Sequence, residues 1–439
     1  MNRIEEGKRF TDTTYASKEE VKAAYNSGDI SAVWDNILSY RSFFDVETEL
    51  FDVSQNHYKI CLTKNLLAQS YNLQMALVTK LYEFEHLSFD LAPHFALRQS
   101  IRSIQQTSIF QNNAISDSIA EKIAKNELES ASSKYYPLKA YERAYRYSLT
   151  LKEINLTSIC NINKLVSGSE LDSPVSYRKT MNADVINPLR LPPCEDIEKH
   201  FVALYAFLKE EEIPLLLRAL GIIYFFSYLR PFEFCSEETG GLVSKAFLAK
   251  SGLSYFGFFL PLESLSYTTS HSYFNKLKTS EESLDLTYFL DTTLRFLTYS
   301  FDLLSEDLKE FSLKNEERKT ELKIASHDNT SNDVIVKEEP VSFALPEFPT
   351  SKSETEVEIL SKKLLTIYPQ LKKKQAHFYA GHCQVGLNYT IEEFRKEEKT
   401  VYETARTSME DLANRGFYKK LQIGKKFVYT PMPLKEIND

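Results

Sequence analysis

Residues 230–241 read RPFEFCSEETGG. Within nine positions this stretch sets a guanidinium (Arg230), a thiol (Cys235), a hydroxyl (Ser236) and two adjacent carboxylates (Glu237, Glu238). It follows the apolar helical run RALGIIYFFSYL and precedes a second helical pattern, LVSKAFLAKSGL. A short loop closing on a helix N-terminus is a place where a nucleotide phosphate lodges, because the free N–H groups of the first turn carry about half a positive charge. Here the positions nearest that terminus are acids. Ser236 is expected to cap the second helix and Glu237 and Glu238 to fall in its first turn, where each acid stabilises a helix by about 0.3–1 kcal/mol. The same carboxylates would repel incoming phosphates by about 4 kcal/mol per unit pair at an effective dielectric of about 20. Weak or absent triphosphate binding is therefore expected. Arg230 stays protonated and offers no acceptor, so it is no general base near neutral pH. An altered site remains open, with Glu237 or Glu238 as base or metal ligand and Arg230 as phosphate contact.

A second group of interest lies near the C-terminus. From Leu371 the pattern predicts a helix, the short helix TIEEF, a turn around Lys399 to Val401, the helix YETARTSMEDLANRG stopped by Gly416, and two strands about QIGKK. That is the order of a winged helix-turn-helix. Ala405, Met409 and Leu412 mark the buried face of the second helix, and Tyr402, Arg406 and Thr407 lie near its exposed N-terminal half. In a DNA-binding reading, Arg406 and its neighbours approach base edges while Lys419, Lys420, Lys425 and Lys426 meet phosphates. Residues 356–439 hold 15 Lys and Arg against 11 Asp and Glu, on a chain of net charge -8. Against this reading stand Glu403, Glu410 and Asp411, and the use of winged helices for protein contacts. His377, His382 and Cys383 share a helix but lack a fourth ligand, so no metal is expected.

The elements that position these groups are mostly helices. Twelve Gly and 15 Pro are few for 439 residues, and a mainly α protein of two or three domains follows. Five cysteines lie far apart with no CxxC pair, which argues against disulfides or a zinc site. The first twenty residues are polar, and the longest apolar run, Ala219 to Leu229, is shorter than the roughly 20 residues that span a bilayer. A soluble, cytoplasmic protein without a membrane partner is expected. Residues 1–95 form an N-terminal mainly helical region with Trp34 in its core, YKICLT as a strand and KNLLAQSYNLQMALVTKLYEFE as an amphipathic helix. Residues 96–325 form a helical domain, interrupted at 169–194 by prolines and β-formers that suggest a short hairpin or flap. Residues 326–355, with six acids, two bases and three prolines, read as a linker to the 356–439 domain.

The order of these elements resembles the Fic family, whose domain transfers AMP from ATP to a hydroxyl on a protein. The resemblance runs without a gap from Arg218 to Leu253, continues into SYFNKLKTSEESLDLTYFL, and covers roughly residues 95–325 as architecture. It implies a Fic-type helical domain with a short β-hairpin flap, followed by a winged-helix domain similar to modules appended to many bacterial Fic proteins. Where the family motif HPF(D/E)GNGR has its catalytic histidine, this chain has Arg230. The metal-binding acid corresponds to Phe234, and the Gly-Asn-Gly anion hole to Cys235, Ser236 and Glu237. The two phosphate-binding arginines correspond to Glu238 and Gly241. Pro231, Phe232 and Gly240 remain, and these are expected to shape the loop. The family's inhibitory glutamate corresponds to Gln111 in TSIFQN, and Tyr177 and Arg178 begin a flap that in the family docks a target peptide by strand addition.

The resemblance implies an inactive transferase site and a regulatory protein that binds DNA through its C-terminal domain. No cofactor is expected, with ATP and Mg2+ entering only if the altered site works as a nucleotide-dependent transferase. A protein scaffold using the flap is the third reading, and a homodimer is compatible with all three.

Overall fold

The computed structural model describes residues 3–25, 29–88, 91–128, 133–179, 191–263, 265, 270–327, 357–358, 361–362, 364–365, 368–383, 389–423 and 426–431. The chain is mainly helical and divides into two compact units, residues 1–330 and 331–439. The first unit takes in both the 1–95 region and the 96–325 segment, so these are parts of one body.

The first unit begins with α1 (Arg3–Lys8), α2 (Lys18–Tyr25) and α3 (Ser31–Arg41), then an antiparallel hairpin of β1 (Asp45–Phe51) and β2 (His57–Cys61). Next come α4 (Lys64–Glu85), α5 (Leu91–Phe110), α6 (Asp117–Ala124), α7 (Tyr136–Leu149), α8 (Leu156–Val166) and α9 (Ile197–Phe207). It closes with α10 (Leu215–Leu229), α11 (Ser236–Leu248), α12 (Phe256–Phe259), α13 (Ser270–Ser283) and the long α14 (Thr287–His327). Local chemistry sets several starts. Thr63 caps α4 by accepting from the Leu66 amide, and Asn155 and Ser158 form a reciprocal capping box at α8.

Helix α10 is apolar all round, and every residue from Ala219 to Leu229 is buried, which makes it the axis of the core. Two glycines let neighbours approach it closely. A Cβ on Gly221 would lie 2.5 Å from the Phe207 ring, and one on Gly240 would lie 2.6 Å from Phe226 Cβ. The N-terminal helices are fastened by Arg41, which is fully buried. It donates to Tyr288 Oη at 2.7 Å and to the carbonyls of Phe10 and Ala16 at 2.8 Å each. Beside it, Tyr15 donates to Asp285 Oδ2 at 2.5 Å.

The second unit contains α15 (Lys373–Gly381), α16 (Ile391–Glu397), α17 (Tyr402–Asn414) and an antiparallel pair, β3 (Tyr418–Ile423) and β4 (Lys426–Pro431). Phe378, Tyr379, Phe394, Met409, Leu412 and Tyr418 form its core. A Thr390–Glu393 capping box starts α16, and Gly416, with φ +81°, turns the chain out of α17.

Strand β1 was not expected, although DVETELF alternates polar and apolar residues over most of its length. Of residues 169–194, expected to form a short hairpin or flap, 180–190 lie outside the described residues. The linker falls almost wholly outside them as well, and α14 runs through its first two positions.

Candidate functional site

The loop between α10 and α11 is held at both ends by left-handed backbone. Arg230 has φ 44° and ψ 62° as the C-cap of α10, and Cys235 has φ 56° and ψ 34° as the N-cap of α11. Neither is glycine, so each conformation costs about 1–2 kcal/mol that surrounding bonds must offset. Asn163, on α8, donates to Phe234 O at 2.9 Å and to Thr239 Oγ1 at 3.1 Å. Thr239 in turn donates to Cys235 O at 2.6 Å.

Ser236 is not the N-cap. It is the first helical residue, and its hydroxyl accepts from Phe232 N at 3.0 Å and donates to Phe232 O at 3.2 Å. Because Cys235 already takes the left-handed turn, Ser236 faces back across the loop and fastens it. Gly240 also plays a different part from the one expected. It lies inside α11, where it permits the close crossing on Phe226, and does not bend the loop.

The two acids have partners from within the chain. Glu237 lies 3.7 Å from the Arg230 guanidinium. Glu238 Oε1 accepts from the side-chain amide of Gln111, on the turn that ends α5, at 3.2 Å. Burial pushes the Glu238 carboxyl above the ordinary glutamate range, while its own backbone N–H and the Gln111 amide hold it partly down. The Cys235 thiol beside it is raised to about 12, by burial and then by the Glu238 charge, and is no nucleophile near neutral pH. Between Glu237, Glu238, Glu263, Thr107, Ser227 and Tyr273 only about 30 Å³ is open. That is room for about two water molecules. Phe234 is 64% exposed and takes no part in this enclosure. Gly241 lines it, with nothing within 4 Å of where a Cβ would stand. Among the described residues no three His, Cys, Asp or Glu side chains are grouped so as to hold a metal ion.

Residues 176–178 are strapped to this loop. Tyr177 pairs with Phe232 as an antiparallel bridge, the two rings stacked with centroids 5.7 Å apart. Glu233 N donates to Ser176 O at 3.0 Å, and Ser176 Oγ donates to Glu233 Oε2 at 2.6 Å. Arg178 is buried, its Nε donating to Leu229 O at 3.1 Å and a terminal nitrogen to Pro192 O. Tyr177 and Arg178 therefore spend their polar atoms and their strand edge on the chain itself.

In the second unit, Ala405, Met409 and Leu412 are fully buried, and Tyr402 and Thr407 are exposed. Arg406 is tied to Glu403 at 2.5 Å and approaches Glu410 at 3.8 Å. Lys420 reaches Glu410 at 3.1 Å and lies over the Phe427 ring, while Lys419 is exposed. Lys425 is outside the described residues, and of Lys426 only the backbone is described. His377 and His382 pair separately, with Glu398 at 2.6 Å and Glu397 at 3.1 Å, and Cys383 Sγ turns toward Ala380 O.

Sequence reasoning passed over Asn163, an ordinary polar residue in an apolar helix, and a buried cluster of Lys245, Glu263, Tyr141 and Ser103. The signal for the cluster was present, since Lys245 is the one charge in the run GLVSKAFLA.

No protein-family model matches the chain, and no curated protein does. Among solved structures, a Fic family protein from Desulfovibrio desulfuricans G20 is 13% identical, with 82% of this chain and 95% of that one covered and a TM-score of 0.43. Residues 134–508 of Fic-1 from C. elegans are 17% identical, covering 65% of this chain and 80% of that one at 0.45. A Fic domain containing signaling protein from Bacteroides thetaiotaomicron VPI-5482 is 13% identical, covering 55% and 97% at 0.42.

Proposed function

We propose that this is a Fic-fold protein without nucleotidyl transfer, which acts as a regulatory DNA-binding protein through a C-terminal winged helix. The Fic assignment rests on the motif remnant, with Pro231 and Phe232 in the loop between two core helices and Gly240 inside the second. The observation that carries the loss of transfer is the closed end of the loop. Arg230 and Glu237 neutralise each other, Gln111 holds Glu238, and the remaining space of about 30 Å³ is far smaller than a triphosphate.

The DNA-binding half is supported by the element order of the second unit. Two helices meet through the turn at 398–401, an antiparallel hairpin follows, and Tyr389 bridges Tyr429 as a third edge. Local acids compensate both Arg406 and Lys420, and DNA must displace them to use either side chain.

Both halves are tested on the full chain. Incubation with radiolabelled ATP and Mg2+ is expected to leave the protein and added lysate unlabelled, and calorimetry to show no heat of ATP binding. Label that disappears on Glu238→Ala would reverse the first half. Duplex DNA that fails to shift the chain at low salt would reverse the second.

A further inference from the structure

A cavity of the first unit lies away from the 230–241 loop, between α5, α11, the segment after α12, and α14. Its volume is about 270 Å³, near the lower end of the roughly 300–1,000 Å³ typical of small-molecule sites. Its two sides differ in chemistry. Gln99, Arg102, Ser103 and Gln106 of α5 form a polar wall with Lys245 beside them. Phe259, Phe296, Leu303 and Leu304 form an apolar wall, and Tyr299, 69% exposed, stands at the mouth.

Lys245 is 1% exposed and belongs to the core. Its ammonium donates to Glu263 Oε1 at 2.6 Å and to Ser103 Oγ at 3.1 Å. Tyr141 and Ser103 also donate to Glu263 Oε1, which fixes the carboxylate from three sides. An ammonium has three N–H bonds; two go to Glu263 and Ser103, the Nζ also stands 5.6 Å from the Tyr145 ring centroid, and, since Lys245 lines the cavity, a carbonyl there competes with that ring for the third. The other cation of the wall, Arg102, is taken by Asp307, with a terminal nitrogen 2.9 Å from Oδ1. Each positive charge facing the space is thus already matched by an internal anion. A charged occupant would enter without a counter-ion and lose its hydration, whereas a neutral acceptor takes the third N–H at little cost.

We propose that this cavity is a binding site for a small neutral molecule with an apolar, ring-sized body and one carbonyl oxygen. The carbonyl accepts from Lys245, and the body lies against Phe259, Phe296 and Leu304. The Lys245–Glu263 pair then positions a donor for a ligand in addition to holding α11 against the segment after α12.

The probes are 4′-fluoroacetophenone, 1-ethyl-4-fluorobenzene, which has the same shape without the acceptor, and 4-fluorobenzoate, each followed by fluorine NMR on the full chain. Saturable binding of the ketone is expected, about tenfold tighter than that of the ethyl compound and tighter than that of the benzoate. Ser300→Trp fills the mouth without touching the ion pair and is expected to abolish binding. Lys245→Met with Glu263→Gln removes both charges together and is expected to erase the preference for the ketone while apolar binding persists. No saturable binding up to about 10 mM, binding unaffected by Ser300→Trp, a preference for benzoate, or equal affinity for ketone and ethyl compound in the unaltered chain would each overturn the proposal.

Discussion

Gln111 and Glu238 are 127 positions apart in the chain, and their side chains meet at 3.2 Å, amide nitrogen to carboxylate oxygen. A glutamate there would face a second carboxylate, so a neutral amide is the partner that lets Glu238 stay inside. Replacement Gln111→Leu is expected to destabilise the fold by about 1–2 kcal/mol, because a half-enclosed carboxyl loses its donor. It should also raise the Glu238 pKa further, which carbon-13 NMR titration of labelled glutamates would reveal.

Adjacent glycines in α11 should respond in opposite directions. Gly240→Ala places a methyl group 2.6 Å from Phe226 Cβ, and overpacking of that kind costs about 1–3 kcal/mol. Gly241→Ala meets nothing within 4 Å and gains helix propensity of about 0.5–1 kcal/mol. Urea denaturation midpoints of the two variants, measured side by side, decide this. Equal shifts would mean that the crossing of α10 and α11 is looser than described.

Binding to duplex DNA should depend steeply on salt. If Lys419, Lys420, Lys425 and Lys426 each neutralise one phosphate, log K against log salt has a slope of about -4. Replacing all four with alanine should bring the slope near zero, and Arg406→Ala alone should change it by about 1 or less. Fluorescence anisotropy across a salt series measures each slope.

Stability of the first unit should carry a pH signature from Glu142. Burial pushes its carboxyl up to about 7, with Arg146 at 2.9 Å opposing the shift. A carboxyl raised on folding takes up a proton as the chain folds. Its contribution is therefore present in full below the unfolded value of about 4.5 and is lost as pH rises through about 7. Between pH 4 and 8 the unaltered chain should lose about 3 kcal/mol more than Glu142→Gln. Denaturation at the two pH values, with no difference between the proteins, would remove Glu142 as the cause.

Much of this architecture could be read in advance, because it depends on patterns local to one segment. The apolar run from Ala219 to Leu229 dictates a buried helix whatever surrounds it. Residues 402–414 carry their apolar positions at helical spacing, and Gly416 ends the element by allowing positive φ. The residue types at Arg230, Phe234, Glu238 and Gly241 are likewise facts of the sequence whatever the fold does.

Which groups meet could not be read in the same way. Ser236 looked like a cap because its type and position suit one, but Cys235 took the turn and the hydroxyl faced inward. The partners of Glu237 and Glu238, the burial of Arg178, and the clustering of Lys245 with Glu263 and Tyr141 all join residues on separate elements. Spacing within one helix fixes a face, since periodicity is a property of its backbone. Which charge neutralises another across the core is fixed only when helices pack, because desolvation makes an unpaired charge costly and leaves each buried group the partner its neighbours supply.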